Sequence, residues 1–298
     1  LFPWRLCDGT MPGSSGSLRT DRWRHLLPNL ARRILSVDPH LATDTSEAAD
    51  QTFSSAIAAG FDAALWRIDH PHLGADVLPD ELVASCSKAG MRLILEVDLS
   101  RFAIDHPLVA SHPDAFALRR SGMREGAIDP RAPLMIAGEA RARLRLRETA
   151  DLLLSPLVDA LAHMVDRGVA GFRLAGAERM APSFMGELIE TLRQRAPGIQ
   201  FIAGSPDLSR PQARALANVG LDALVSSFAW WDLRAPWLIE EYGDLRPIAP
   251  LLSEIRAESL AHADDPAALT QRLMAAAVVG DGLIMPARLL SAGGETAE

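Results

Sequence analysis

Apolar residues come in short bursts along this chain, separated by longer stretches where they recur every three or four positions. Short bursts suit buried strands, and the wider spacing suits helices that bury one face. Ile34 to Val37 is the first burst. Ser46 to Ala59 follows with helical spacing, opened by a good N-cap at Ser46 and stopped by Gly60. The unit then recurs: Ala63 to Ile68 reads as a strand, Leu78 to Ala89 as a helix ending at Gly90, and Arg92 to Val97 as the next strand. A long irregular segment follows, through Asp105-His106-Pro107 and His112-Pro113-Asp114. Beyond it, helices are predicted at Leu152 to Asp166, Pro182 to Ala196, Ser209 to Val219 and Pro266 to Val279. Strands are predicted at Val169 to Leu174, Gln200 to Ala203, Ala223 to Val225, Ile248 to Ser253 and Leu283 to Met285.

Eight strand candidates result, most with a helix between them. That alternation argues for a parallel sheet with right-handed crossovers. Eight such units in about 260 residues fit a closed (β/α)8 TIM barrel better than an open doubly wound sheet. No Gly-x-Gly-x-x-Gly follows the first strand, which counts against a dinucleotide fold. The chain runs only a short way past the eighth strand, so the barrel is expected to lack room for a closing helix and to be incomplete at its C-terminal end. Residues 1–30 read as a flexible lead-in, turn-rich from Gly9 to Ser17, and residues 31–298 as one barrel domain.

With 298 residues, 48% of them hydrophobic, the chain can bury one large core. No apolar run reaches the ~18 residues of a membrane span, and no membrane partner is expected. The net charge of −8, without a basic block, argues against nucleic acid. Lys88 is the only lysine among many arginines, as a GC-rich genome would write. Cys7 and Cys86 stand far apart with no Cys-x-x-Cys. Neither a zinc site nor a disulfide framework is therefore indicated, and a reducing, cytoplasmic compartment is expected. No metal and no cofactor is called for. The start, Leu1-Phe2-Pro3-Trp4-Arg5, lacks an initiator Met and the pattern of a signal peptide, which suggests a processed chain or a piece of a longer one.

Chemistry in a β/α barrel sits at the C-terminal ends of the strands. After strand three come Glu96, Asp98, Ser100 and Arg101; after strand four Arg173, Ala175 and Glu178; after strand five Ser205 and Asp207. Ser226, Ser227, Trp230, Trp231 and Asp232 follow strand six, and Glu254, Arg256 and Glu258 follow strand seven. Gly168 to Ala177, reading Gly-Val-Ala-Gly-Phe-Arg-Leu-Ala-Gly-Ala, resembles the strand-four motif of the α-amylase superfamily, glycoside hydrolase family thirteen, Gly-Val-x-Gly-Phe-Arg-x-Asp-x-Ala. Ala89 to Val97 resembles that family's third-strand segment. Asp105-His106-Pro107-Leu108 with His112 to Phe116 resembles its maltosyltransferase branch, which builds α-glucan from maltose 1-phosphate.

The resemblance implies an α-glucan or maltooligosaccharide partner and a pair of carboxyl groups, one a nucleophile and one an acid/base. Those positions fall on Ala175 and on Gly204 or Ser205, and the strand-seven His-Asp pair falls near Ala257, where none is present. Only the strand-four arginine, Arg173, is kept. Glu96, Glu178 and Glu258 are the candidates for relocated acids. Arg173, Asp98, Trp230, Trp231 and Asp232 are the candidates for sugar contacts, the tryptophans as stacking platforms or as packing beneath the rim. A buried arginine that has lost its usual carboxylate still needs an acid, and Glu96 or Asp98 is the expected partner. His106 and His112 read as loop anchors. The leading expectation is a catalytically degenerate barrel that binds α-glucan or scaffolds a fused or bound glucan enzyme. The alternatives are an active α-glucan enzyme using relocated acids and a purely structural domain.

Overall fold

The computed structural model describes residues 32–37, 46–67, 78–118, 138–206, 208–256 and 266–291. The lead-in, Asp207, Ala257 and Glu258 lie outside the described residues.

The barrel strands are β1 (Arg33–Val37), β2 (Ala63–Arg67), β3 (Arg92–Val97), β7 (Val169–Leu174), β8 (Gln200–Gly204), β9 (Ala223–Val225), β10 (Leu251–Glu254) and β11 (Gly282–Pro286). All pair in parallel, in the cyclic order β1-β11-β10-β9-β8-β7-β3-β2, and the sheet closes on itself. Successive strand residues face opposite sides. One set points inward: Ile34, Ala63, Leu65, Ile94, Ile202, Ala223, Val225, Leu252 and Ile284 form a core of their own inside the barrel. The alternate set, including Leu35, Trp66, Leu93, Phe172, Phe201 and Met285, packs outward against the helices. Burying each such side chain contributes about 1.5–3 kcal/mol. The inner residues therefore fill the barrel as a packed core that supports whatever sits above it.

The helices are α1 (Ser46–Ala58), α2 (Asp80–Ala89), α3 (Pro107–Ser111), α4 (Arg147–Asp166), α5 (Pro182–Arg195), α6 (Arg210–Ala215), α7 (Trp237–Leu245), α8 (Pro266–Val279) and α9 (Arg288–Ser291). In α4 the buried stripe Leu153, Leu157, Leu161 and Met164 recurs every three or four residues, which seats this long helix on the sheet. At the end of α2, Gly90 adopts φ 71° and its N–H bonds to the carbonyls of Cys86 and Ser87. A left-handed turn of this kind favours glycine.

Two expectations are corrected. The segment after β3 is not irregular throughout: β4 (Arg101–Ala103), β5 (Phe116–Leu118) and β6 (Glu139–Ala142) form an antiparallel sheet in the order β4-β6-β5. Phe102 and Phe116 meet edge-on beneath it at 5.1 Å. His106 anchors the loop there, its Nδ1 accepting from the Leu108 N–H while its ring packs edge-on to Phe102. Second, α7 stands where the sequence pattern predicts no element. The barrel closes as expected, β11 pairing with both β10 and β1. After β11 the described residues hold one short helix, α9.

Candidate functional site

The inward parity of Leu65, Ile94, Gly171 and Leu252 carries two residues further up each strand to Arg67, Glu96, Arg173 and Glu254. Strand register sets Arg67 beside Glu96 and Glu96 beside Arg173, while Glu254 reaches in from β10. The four side chains close a ring of alternating charge. Arg173 grips Glu254 with two parallel bonds, Nη1 to Oε1 at 2.9 Å and Nη2 to Oε2 at 2.9 Å. Its Nε lies 3.2 Å from Glu96 Oε2. Arg67 completes the circuit, with Nη2 2.6 Å from Glu254 Oε1 and Nε 3.4 Å from Glu96 Oε2. Arg256 adds a third cation, 3.7 Å from Glu254 Oε2, its guanidinium 4.7 Å above the Trp230 ring. The ring forms the floor of the barrel mouth, one strand layer below Ala175, at the end where a β/α barrel ordinarily presents its reacting groups.

Its electrostatics follow from burial and pairing. Glu254 is only 2% exposed. Burial alone would raise its pKa, but Arg173, with help from Arg67 and Arg256, overrides that and lowers it to about 2. Burial likewise works against the Arg173 charge, and Glu254 and Glu96 more than offset it, so the guanidinium holds its proton more tightly than usual.

The other sequence candidates divide. Ala175 sits just past β7, where its N–H bonds to the Val97 carbonyl and its methyl offers no nucleophile. Asp98 is not the partner of Arg173: it accepts from Ser100 Oγ at 2.6 Å and Arg179 Nη1 at 2.8 Å, because the chain turns away from the axis after β3. Glu178 pairs with its neighbour Arg179 and stands outside the ring. Ser205 follows the outward parity of Ala203, so its hydroxyl turns away from the mouth to the Val225 carbonyl and to Glu241 Oε1, at 2.8 and 3.0 Å. Asp232 caps its own loop by accepting the N–H groups of Arg234 and Ala235. The tryptophans split as an adjacent pair must: Trp230 is 53% exposed, while Trp231 packs against Phe228 and donates to the Ala235 carbonyl.

Glu254, Arg67 and Glu241 are candidate positions that the family motifs do not single out. The signal for the first two is strand parity, and Glu241 lies on the helix that sequence pattern missed. Among the described residues no group of three or more His, Cys, Asp or Glu could hold a metal ion. None of the described helices is long and apolar enough to cross a membrane.

A closed parallel barrel with an antiparallel excursion after its third strand defines an α-amylase-type (β/α)8 barrel. The solved structures agree on the fold. A cyclic α-maltosyl-(1→6)-maltose hydrolase from Arthrobacter globiformis, in complex with maltose, superposes with TM-score 0.60 and 15% identity, covering 85% of this chain and 73% of that one. An α-amylase from Geobacillus thermoleovorans, complexed with acarbose, gives TM-score 0.59 and 16% identity, covering 86% and 69%. The sequence relatives are more specific and bear out the resemblance to the maltosyltransferase branch. The α-1,4-glucan:maltose-1-phosphate maltosyltransferase of Burkholderia pseudomallei is 33% identical over 168 residues, 56% of this chain and 15% of the relative. The enzyme of that name from Mycolicibacterium smegmatis is 27% identical over 176 residues, 59% of this chain and 24% of the relative. The chain therefore spans under a quarter of the length of either relative. No family model matches it.

Proposed function

We propose that this barrel binds α-glucan without turning it over. The observation that carries the reading is the Arg67–Glu96–Arg173–Glu254 ring, which ties up the acids at the floor of the mouth, one strand layer beneath Ala175. Glycosyl transfer by this fold needs a free carboxylate to attack and a protonated group to donate. Glu96 is held between two guanidiniums and Glu178 is tied to Arg179. Glu254, which Arg173 with Arg67 and Arg256 holds well below the usual carboxylate range, stays ionised at neutral pH and has no proton to give as a general acid. The α-glucan ligand is supported by the relatives, whose names place them on α-1,4-glucan and maltose 1-phosphate. A reducing, cytoplasmic setting suits the chain, with Cys86 buried and unpaired.

The test is calorimetric titration of maltoheptaose into the purified chain, with maltose 1-phosphate turnover assayed on the same sample. Binding without turnover is the expected result. Turnover would overturn the degenerate reading and return Glu96, Glu178 and Glu258 to candidacy as relocated acids. Silence in both assays would remove the sugar and leave a scaffold for a partner glucan enzyme.

A further inference from the structure

Outside the mouth, between the ends of β8 and β9 and the helices α6 and α7, lies a cavity of about 250 Å³. Ser205, Arg210, Ser227, Trp237, Glu241 and Asp244 line it. We infer that this cavity is the carbohydrate site and takes one glucosyl unit of a neutral oligosaccharide. The inference rests on the glucan reading above and places the binding at the flank of the mouth.

Three observations on the lining carry it. Trp237, the first residue of α7, remains 37% exposed at the cavity and offers a flat apolar face. Pyranose rings present one such face of C–H groups, and an aromatic ring on a helix terminus is a rigid platform for it. Glu241 is fixed in place because its Oε1 accepts from both Ser205 Oγ and the Ser227 N–H, each at 3.0 Å. Its Oε2 has no hydrogen bond among the described residues, which leaves an oriented acceptor for a sugar hydroxyl. The cations of the lining are already spent: Arg210 Nε and Arg214 Nη2 each lie 3.4 Å from Asp244, and Arg210 also reaches Glu240 at 3.5 Å.

The balance of charge selects the ligand. Two arginines face two carboxylates around the cavity, so no surplus positive charge is available for a phosphate, and the open Glu241 oxygen repels an anion. A neutral polyol with donating hydroxyls meets neither objection. The volume falls below the ~300–1,000 Å³ of drug-sized pockets, which suits one ring rather than a length of chain. The position, at the C-terminal ends of two barrel strands, is where this fold holds ligands.

Maltose and maltoheptaose are titrated by calorimetry into the wild type, Trp237→Ala and Glu241→Gln, with thermal unfolding run on each variant. The expected result is weakening of both sugars by about tenfold or more in Trp237→Ala and by a smaller factor in Glu241→Gln. Glu241→Gln keeps the side-chain shape, so it serves where Trp237→Ala fails to fold. Unchanged affinity in a folded Glu241→Gln and Trp237→Ala would overturn the cavity site while leaving glucan binding in place. A wild type that binds neither sugar would overturn both. Inorganic phosphate that displaces maltose would overturn the neutral-ligand assignment.

Discussion

Replacing Glu254 by Gln keeps the size of the side chain and removes the charge that the buried Arg173 and the half-buried Arg67 share. Folding lowers the Glu254 pKa from 4.5 to about 2. At 1.36 kcal/mol per pKa unit, the ionised form contributes about 3 kcal/mol at neutral pH. An independent route reaches the same range, since removing one partner of a buried ion pair costs about 3–5 kcal/mol. Arg173, 7% exposed, would keep only Glu96 as a partner. For a chain of this length such a loss lowers Tm by about 5 °C.

The pH dependence gives the sharper test. Folded Glu254 binds a proton less readily than the unfolded chain does, so acid favours the unfolded state. The contribution is complete above about pH 4.5 and drains away as the pH falls toward about 2. Urea unfolding of wild type and Glu254→Gln, followed by circular dichroism at several pH values, should show the variant weaker by about 3 kcal/mol at pH 7. That gap should narrow steadily below pH 4.5 as wild-type Glu254 takes up its own proton. A deficit under about 1 kcal/mol at pH 7 would refute the ring as a buried, mutually dependent unit, because exposed pairs are worth no more than that. A deficit that stays constant into acid would show that Glu254→Gln acts through packing and not through charge.

Two further outcomes are expected. In a Cys7→Ser background, the buried Cys86 thiol, its pKa raised to about 12, should react with a thiol reagent at pH 8 only as fast as the chain unfolds; prompt native-state labelling would contradict its burial. Gly282→Ala should destabilise by about 1–3 kcal/mol in urea, because a Cβ there would come within 2.5 Å of the Arg32 carbonyl oxygen and 2.6 Å of Leu252 Cδ2 where β11 closes the barrel; an unchanged midpoint would mean the seam is looser than the structure shows.

The barrel was legible because its strands obey a simple rule. Val169–Leu174 is bounded as the pattern predicts, since Gly168 ends the preceding helix with φ 106° and an apolar burst begins at once. The β4-β6-β5 sheet was hidden for the opposite reason. Its strands span three or four residues, and Arg101 and Arg141 interrupt the apolar positions, so no burst stands out. Helix α7 was masked by Pro236 before it and Gly243 within it, and its burial of Leu238, Tyr242 and Leu245 supplies the stability its propensity lacks.

The ring could not be read as a ring. Arg173 and Glu254 are 81 residues apart and Arg67 and Glu254 are 187 apart, and only closure of the sheet brings them together. The need for it was nonetheless visible in one residue. The resemblance aligns Ala175 with the family's nucleophile, which implies a buried Arg173 without the carboxylate it serves there, and an isolated buried guanidinium is too costly to keep. The structure answers with two acids, and Arg67 supplies the second cation that balances them. Loss of a nucleophile alone would leave a charge unmatched at the mouth. A closed circuit of two arginines and two glutamates instead leaves each of these four charges matched at the floor of the mouth.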